Sequence, residues 1–308
     1  MWLERNVENM DYIALLGASL LFALQFLFNQ RYEKRTGSGL AHAFRFSLWT
    51  SVVGAAAMLL MQGFALNVSW FSLLMAAVLS TVSILYTVCS MKAFATANLS
   101  VYSTFAMLGG MLIPFVGGLL IPSRNEELTW TKALCCVLLI VGLCFNVRHE
   151  PKADGDKKKG LPPLFYYFAV FVLNGLSGLV STLHQSFPDW AVDATSFSML
   201  NRALTAVFAL VMLLLSRQTP LPRLNAPKGK ADVWMSMAAF GLICTFANWI
   251  VLLTLKNVDA SLSYTLTTGA VMVFSTVIAL IQREKVTLKQ WLSVAFSMAG
   301  LLTLVIPT

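Results

Sequence analysis

The chain has 308 residues, of which 57% are hydrophobic and only 12% charged, with a net charge of +8. Soluble domains carry about 25% charged residues, so an ordinary soluble enzyme is excluded. The basic residues are divided among short connections, which reads as orientation in a membrane and argues against a nucleic-acid partner.

Ten apolar stretches follow one another, at 11–30, 40–62, 69–92, 98–121, 130–148, 163–186, 194–216, 232–255, 260–282 and 288–307. A helix needs about 20 mostly apolar residues to cross a bilayer. The stretches lack the two-residue alternation of a barrel strand, and backbone groups in hydrocarbon must pair within their own segment, so each is predicted to be a spanning helix. Glu4, Arg5, Glu8 and Asp11 precede the first stretch, and no small-residue cleavage site follows it, so it reads as retained and not as a cleaved signal. The five cysteines all fall inside spans, which argues against a disulfide framework and, with the adjacent Cys135 and Cys136, against metal spacing. No cofactor or metal site is expected. The fourth span holds Gly109, Gly110, Pro114, Gly117 and Gly118, the composition of either a hinge or a close helix contact. Between the fifth and sixth spans lies a hydrophilic linker, 149–161, whose Lys157, Lys158 and Lys159 suit anionic head groups.

The chain repeats itself. Ala97-Asn98-Leu99-Ser100 opens span 4 and Ala260-Ser261-Leu262-Ser263 opens span 9. Glu126-Glu127-Leu128-Thr129 precedes span 5, and Glu284-Lys285-Val286-Thr287 precedes span 10; from Thr129 to Gly142 and from Thr287 to Gly300 is 13 residues each. Arg45 in span 2 matches Arg202 in span 7, Lys92 matches Lys256, and Asn29-Gln30 matches His184-Gln185. The order of these pairs predicts two halves, 1–148 and 162–308. Five spans per half is an odd number, so the second copy enters the bilayer from the opposite face. Loop charge agrees: the odd-numbered connections carry 16 Lys and Arg, against four in the even-numbered connections and both tails. The predicted fold is therefore all-α, a ten-helix membrane protein of two inverted five-helix repeats.

These residues resemble the drug/metabolite transporter superfamily, in its EamA-like ten-helix branch. The Glu-x-Leu/Val-Thr element before the last span of each half carries the resemblance, together with the glycine that follows and the arginine near the start of spans 2 and 7. The family commonly has Gly before that Glu, where this chain has Asn125 and Arg283. The resemblance implies a basket in which helices 1, 3, 4, 6, 8 and 9 surround a central cavity and helices 5 and 10 lie outside. It also implies transport of small metabolites, amino acids, sugars or drugs by alternating access. Relatives usually keep both termini in the cytoplasm, whereas the basic-loop bias here places both outside.

Polar groups within a span are costly and face either the bundle or a wet path. Asn174, Ser177, Ser181 and His184 share one face of span 6. Gln25 and Asn29 occupy the corresponding part of span 1. His184 has a reference pKa of about 6.5, which permits a proton role, while its place at the helix end favours a solvated, passive one. Arg45 and Arg202 can snorkel to head groups or turn inward to hold a carboxylate or phosphate; Asn201 beside Arg202 favours the latter as the binding group. Tyr86 on span 3, and Asn248 and Trp249 on span 8, supply further walls. The candidate substrate site is thus Gln25, Asn29, Tyr86, Asn174, Ser177, His184, Asn201, Arg202, Asn248 and Trp249.

No Asp or Glu sits in the middle of a span, which disfavours a proton-coupled exporter of organic cations. The sequence lacks HExxH, GxSxG and clustered carboxylates, so a membrane enzyme is disfavoured, and no ring of charge suggests a channel. The expected function is a secondary transporter, an exporter or exchanger, of a small polar metabolite such as an amino acid, with broad efflux of amphipathic drugs as the alternative. Expected partners are a small-molecule substrate, the lipid bilayer and a second copy in a homodimer. The expected location is a bacterial inner membrane.

Overall fold

The computed structural model describes residues 2–37, 39–96, 99–122, 126–146, 163–221, 230–281 and 288–303. Ten helices run through them: α1 (Trp2–Thr36), α2 (Leu40–Met61), α3 (Trp70–Thr96), α4 (Leu99–Leu120), α5 (Trp130–Asn146), α6 (Pro163–Gln185), α7 (Ala194–Leu215), α8 (Lys230–Thr254), α9 (Ala260–Ile281) and α10 (Leu288–Thr303). Among the described residues there is no strand. The protein is a multi-pass membrane protein, as the sequence predicts.

Two lengths differ from expectation. Helix α1 begins nine residues upstream of the apolar stretch, because the polar segment before Met10 is also helical. Seven helices are long and apolar enough to cross a membrane within the described residues. The apolar parts of α4, α5 and α10 are shorter, at Phe105–Leu120, Trp130–Phe145 and Trp291–Thr303. The turn after α1 closes at Gly37, whose φ of 94° is left-handed and whose N–H donates to the Glu33 carbonyl at 2.8 Å.

The helices pack in matching pairs. Helix α1 packs on α8 and α9, and α6 packs on α3 and α4, which are the corresponding pairs when α1 is matched to α6, α3 to α8 and α4 to α9. Helices α2 and α7, α4 and α9, and α5 and α10 each pack against their own counterparts. This is the contact pattern of a pseudo-twofold relation between the halves.

Lipid tails are as apolar as the side chains they contact, so helices in a bilayer associate through close packing. The α4–α6 seam shows how. A methyl on Gly109 would run into the backbone of Phe171, and one on Gly175 would lie 2.6 Å from the Gly109 carbonyl oxygen. Asn174 Nδ2 crosses the seam to the Ala106 carbonyl at 2.7 Å. The glycines of span 4 thus serve close contact. The α1–α9 seam is bulkier, with Phe22, Ala23, Phe26, Val271 and Met272 in one cluster.

Polar ties join connections at both ends. At the end where α3, α5, α7 and α9 begin, Glu126 accepts from the backbone N–H groups of Ala260 and Ser261, at 2.6 and 3.0 Å. The first-half Glu-x-Leu-Thr element therefore caps a helix of the second half. Its counterpart, Glu284 to Thr287, lies outside the described residues. Nearby, Lys132 pairs with Asp259. Asp193 caps α7, accepting from Ser196 N at 2.9 Å and Ser196 Oγ at 2.7 Å. At the opposite end, Arg35 pairs with Asp232 at 3.1 Å, and Trp49 Nε1 donates to the Pro220 carbonyl. The linker at 149–161 lies outside the described residues.

Candidate functional site

A cavity of about 270 Å³ lies at the middle depth of the helices and takes walls from both halves. Its size suits a small metabolite. Side chains of α1, α3, α4, α6, α8 and α9 line it, as the family resemblance implies, and α2 and α7 line it as well, through Ser47, Thr50, Ser198 and Arg202 among others. Helices α5 and α10 stay outside.

Eight of the ten sequence candidates converge on this cavity: Gln25, Asn29, Tyr86, Asn174, Ser177, Asn201, Arg202 and Asn248. Some also serve the helices. Ser177 donates to its own helix at the Asn174 carbonyl, 2.6 Å away, and Asn174 joins α6 to α4. Ser80 fixes Asn201 by donating to its carbonyl oxygen at 2.9 Å and its Oδ1 at 3.1 Å. Asn248 Nδ2 donates to the Cys244 carbonyl at 2.7 Å.

The structure does not bring His184 and Trp249 to the cavity. His184 is not solvated, as its place at a helix end suggested, but 0% exposed. It stacks on Phe197 with ring centroids 3.7 Å apart, its Nε2 lies 2.9 Å from Ser72 Oγ, and its Nδ1 lies 3.1 Å from Gln185 Nε2. The α6–α7 connection folds back over this end of α6, with Val192 N also donating to Ser72 Oγ. Trp249 turns towards α7, where its Nε1 donates to Thr195 Oγ1 at 3.0 Å, and packs beside Met58 and Phe197.

The two arginines part company. Arg45 is 1% exposed; its Nε donates to the Thr219 carbonyl at 2.8 Å and its Nη2 to Gln218 Oε1 at 3.2 Å. It therefore neither snorkels nor faces the cavity. Arg202 is half-buried on the cavity wall, with one hydrogen bond, from Nη2 to Cys244 Sγ at 3.2 Å. No carboxylate lines the cavity, and Arg202 is the one charged group on its wall among the described residues.

Among the cavity residues outside the candidate set are Ser198, one helical turn before Arg202, and Cys244 and Thr245 opposite it on α8. Their spacing gave a signal: Ser198 and Arg202, like Cys244 and Asn248, are four apart and share a face. Three polar atoms in this wall, Gln25 Oε1, Ser198 Oγ and Thr245 Oγ1, are buried without a hydrogen-bond partner. All five cysteines are free thiols.

Residues 164–306 match the EamA-like transporter family. The match covers α6 to α10, which hold Asn174, Arg202, Cys244 and Asn248, and it bears out the resemblance drawn from the repeated elements. No curated protein matches the sequence. A solved crystal structure is similar to this chain with a TM-score of 0.69 and 17% identity, covering 96% of each chain. Identity that low speaks for the fold alone, but it extends the likeness over the first half as well.

Proposed function

We propose that the protein is a secondary transporter that moves a small polar metabolite, of amino-acid size, by alternating access, as an exporter or exchanger. The observation that carries this reading is a mostly apolar cavity with a few convergent polar groups, walled by helices of both halves, in a chain whose residues 164–306 match the EamA-like transporter family. The halves are 1–148 and 162–308, joined by the basic linker 149–161. Rocking of one half against the other exposes the cavity to each face in turn. Binding energy comes from a few convergent polar groups, with Arg202, Asn201, Asn29 and Asn248 the orienting ones, against walls of Phe22, Phe26, Tyr86 and Phe240. A transport role in place of catalysis agrees with the transporter family that the second half matches. The membrane is the inner membrane of a bacterium, with lipid and the transported solute as partners.

The test is flux. Full-length protein in liposomes should show saturable exchange of a labelled small metabolite, and Arg202→Ala with Asn248→Ala should slow it at least about tenfold. Equal kinetics in wild type and double variant would remove these residues from the path. Single-channel currents would replace the carrier reading with a channel.

A further inference from the structure

We infer that the cavity selects a small organic anion, with a carboxylate held at a subsite built from Ser198, Arg202, Thr245 and Asn248, and that it disfavours ammonium groups. The inference rests on the transport reading and narrows its substrate class.

The subsite is where α7 meets α8. Ser198 and Arg202 lie one turn apart on α7, and Thr245 and Asn248 face them from α8. A methyl on Gly54 would meet both Thr245 Oγ1 and Arg202 Cδ, so those two side chains converge on one point of α2. The hydroxyls of Ser198 and Thr245, on residues 5% and 1% exposed, have no hydrogen-bond partner. Buried hydroxyls are almost always paired, and two orphans beside a cation mark where a ligand's acceptors belong. Arg202 has a thiol as its hydrogen-bond acceptor, which is a weak one. A guanidinium with spare donors and two free hydroxyls matches the four lone-pair directions of a carboxylate.

Charge balance then decides the class. Within a membrane an uncompensated charge is expensive. A monoanion beside Arg202 leaves the filled cavity neutral, a zwitterion leaves it with one positive charge, and an amine leaves two, because no carboxylate lines the wall. The unpaired Gln25 Oε1 is an acceptor that suits a hydroxyl or amide hydrogen on the far part of the substrate. The ligand class is therefore a hydroxy- or oxo-carboxylate ahead of an amino acid of the same shape.

Thermal unfolding of the purified full-length chain measures this, since a ligand that binds the folded state raises the midpoint by mass action. The probes are two shape-matched series: lactate, alanine, lactamide and isopropylamine, then phenyllactate, phenylalanine, phenyllactamide and phenethylamine. In at least one series the hydroxy acid should bind about tenfold tighter than the amino acid, and the amide and amine should not bind. Arg202→Gln should abolish that preference, while Ser198→Ala and Thr245→Val, which remove the orphan hydroxyls without removing charge, should each weaken the hydroxy acid several-fold. The inference is overturned if the amino acid or amine binds as tightly as the hydroxy acid, if Arg202→Gln keeps the preference, or if no probe binds the wild type. Exchange of a labelled cell extract by the same protein in liposomes separates the two readings. Flux without carboxylate preference ends this inference and leaves the transporter, and no flux of any solute ends both.

Discussion

Arg45 and Arg202 stand near the start of the second helix of their respective halves, yet the protein treats them differently. Arg45 is enclosed, and protein acceptors at Thr219 and Gln218 satisfy it. Arg202 faces the cavity with one thiol acceptor and leaves most of its donors to whatever fills the space. A buried cation without partners is costly, so the first arrangement holds the fold and the second suits the anion binding proposed for the cavity. The walls around the two cations differ: Gln218 and Thr219, which follow α7, reach Arg45, while Cys244 alone accepts from Arg202.

Removing each charge in turn separates the two roles. Arg202→Gln should abolish solute-dependent stabilisation and reduce flux about tenfold, with the ligand-free unfolding midpoint unchanged or higher, because an under-paired charge is gone. Arg45→Gln should leave solute affinity in the folded protein intact and lower stability by about 1.5–3 kcal/mol, the cost of charged hydrogen bonds whose acceptors stay behind. If the two variants behave alike, the division of labour is wrong.

A second contrast concerns helix seams. Gly109→Ala places a methyl against the Phe171 backbone, which cannot yield without parting α4 from α6, and should cost about 1–3 kcal/mol by thermal unfolding. Gly17→Ala on α1 meets nothing within 4 Å and should change stability by less than about 1 kcal/mol. Equal effects would show that the α4–α6 contact does not depend on its glycines.

The smallest effect belongs to the connections. Burial pushes the Asp193 carboxyl up, but hydrogen bonds from the backbone and side chain of Ser196 and from Asn67 outweigh it and hold the pKa below its ordinary value. A lowered pKa in the folded state means that the stabilisation is present above the unfolded value of about 3.9 and is lost as pH falls through the folded one. Asp193→Ala should cost about 1 kcal/mol at pH 7, as loss of a helix cap does. The gap between wild type and variant in unfolding midpoint should close as pH drops below about 4.

Helix number and most helix edges were legible because apolar length is a direct consequence of bilayer thickness. The start of α1 was not, since a polar segment can continue a helix beyond the membrane. At the site, helical spacing identified the right face of α6 but not the depth of the cavity along it. Asn174 and Ser177 reach the cavity, while His184, further along the same face, falls under the returning α6–α7 connection. Trp249 follows Asn248 in sequence and for that reason points about a quarter-turn away, towards α7. Ser198 was passed over because a lone serine in a helix carries little signal; its significance comes from standing unpaired beside Arg202.

In the proposed cycle one cavity between the two halves faces each side of the membrane in turn, and Cys244 lies on its wall, where labelling reports on it. In a chain whose other four cysteines are replaced, a membrane-impermeant thiol reagent should label Cys244 from either face of oriented vesicles, and the transported solute should slow labelling from both. Labelling from one face alone, unaffected by solute, would contradict alternating access around this site.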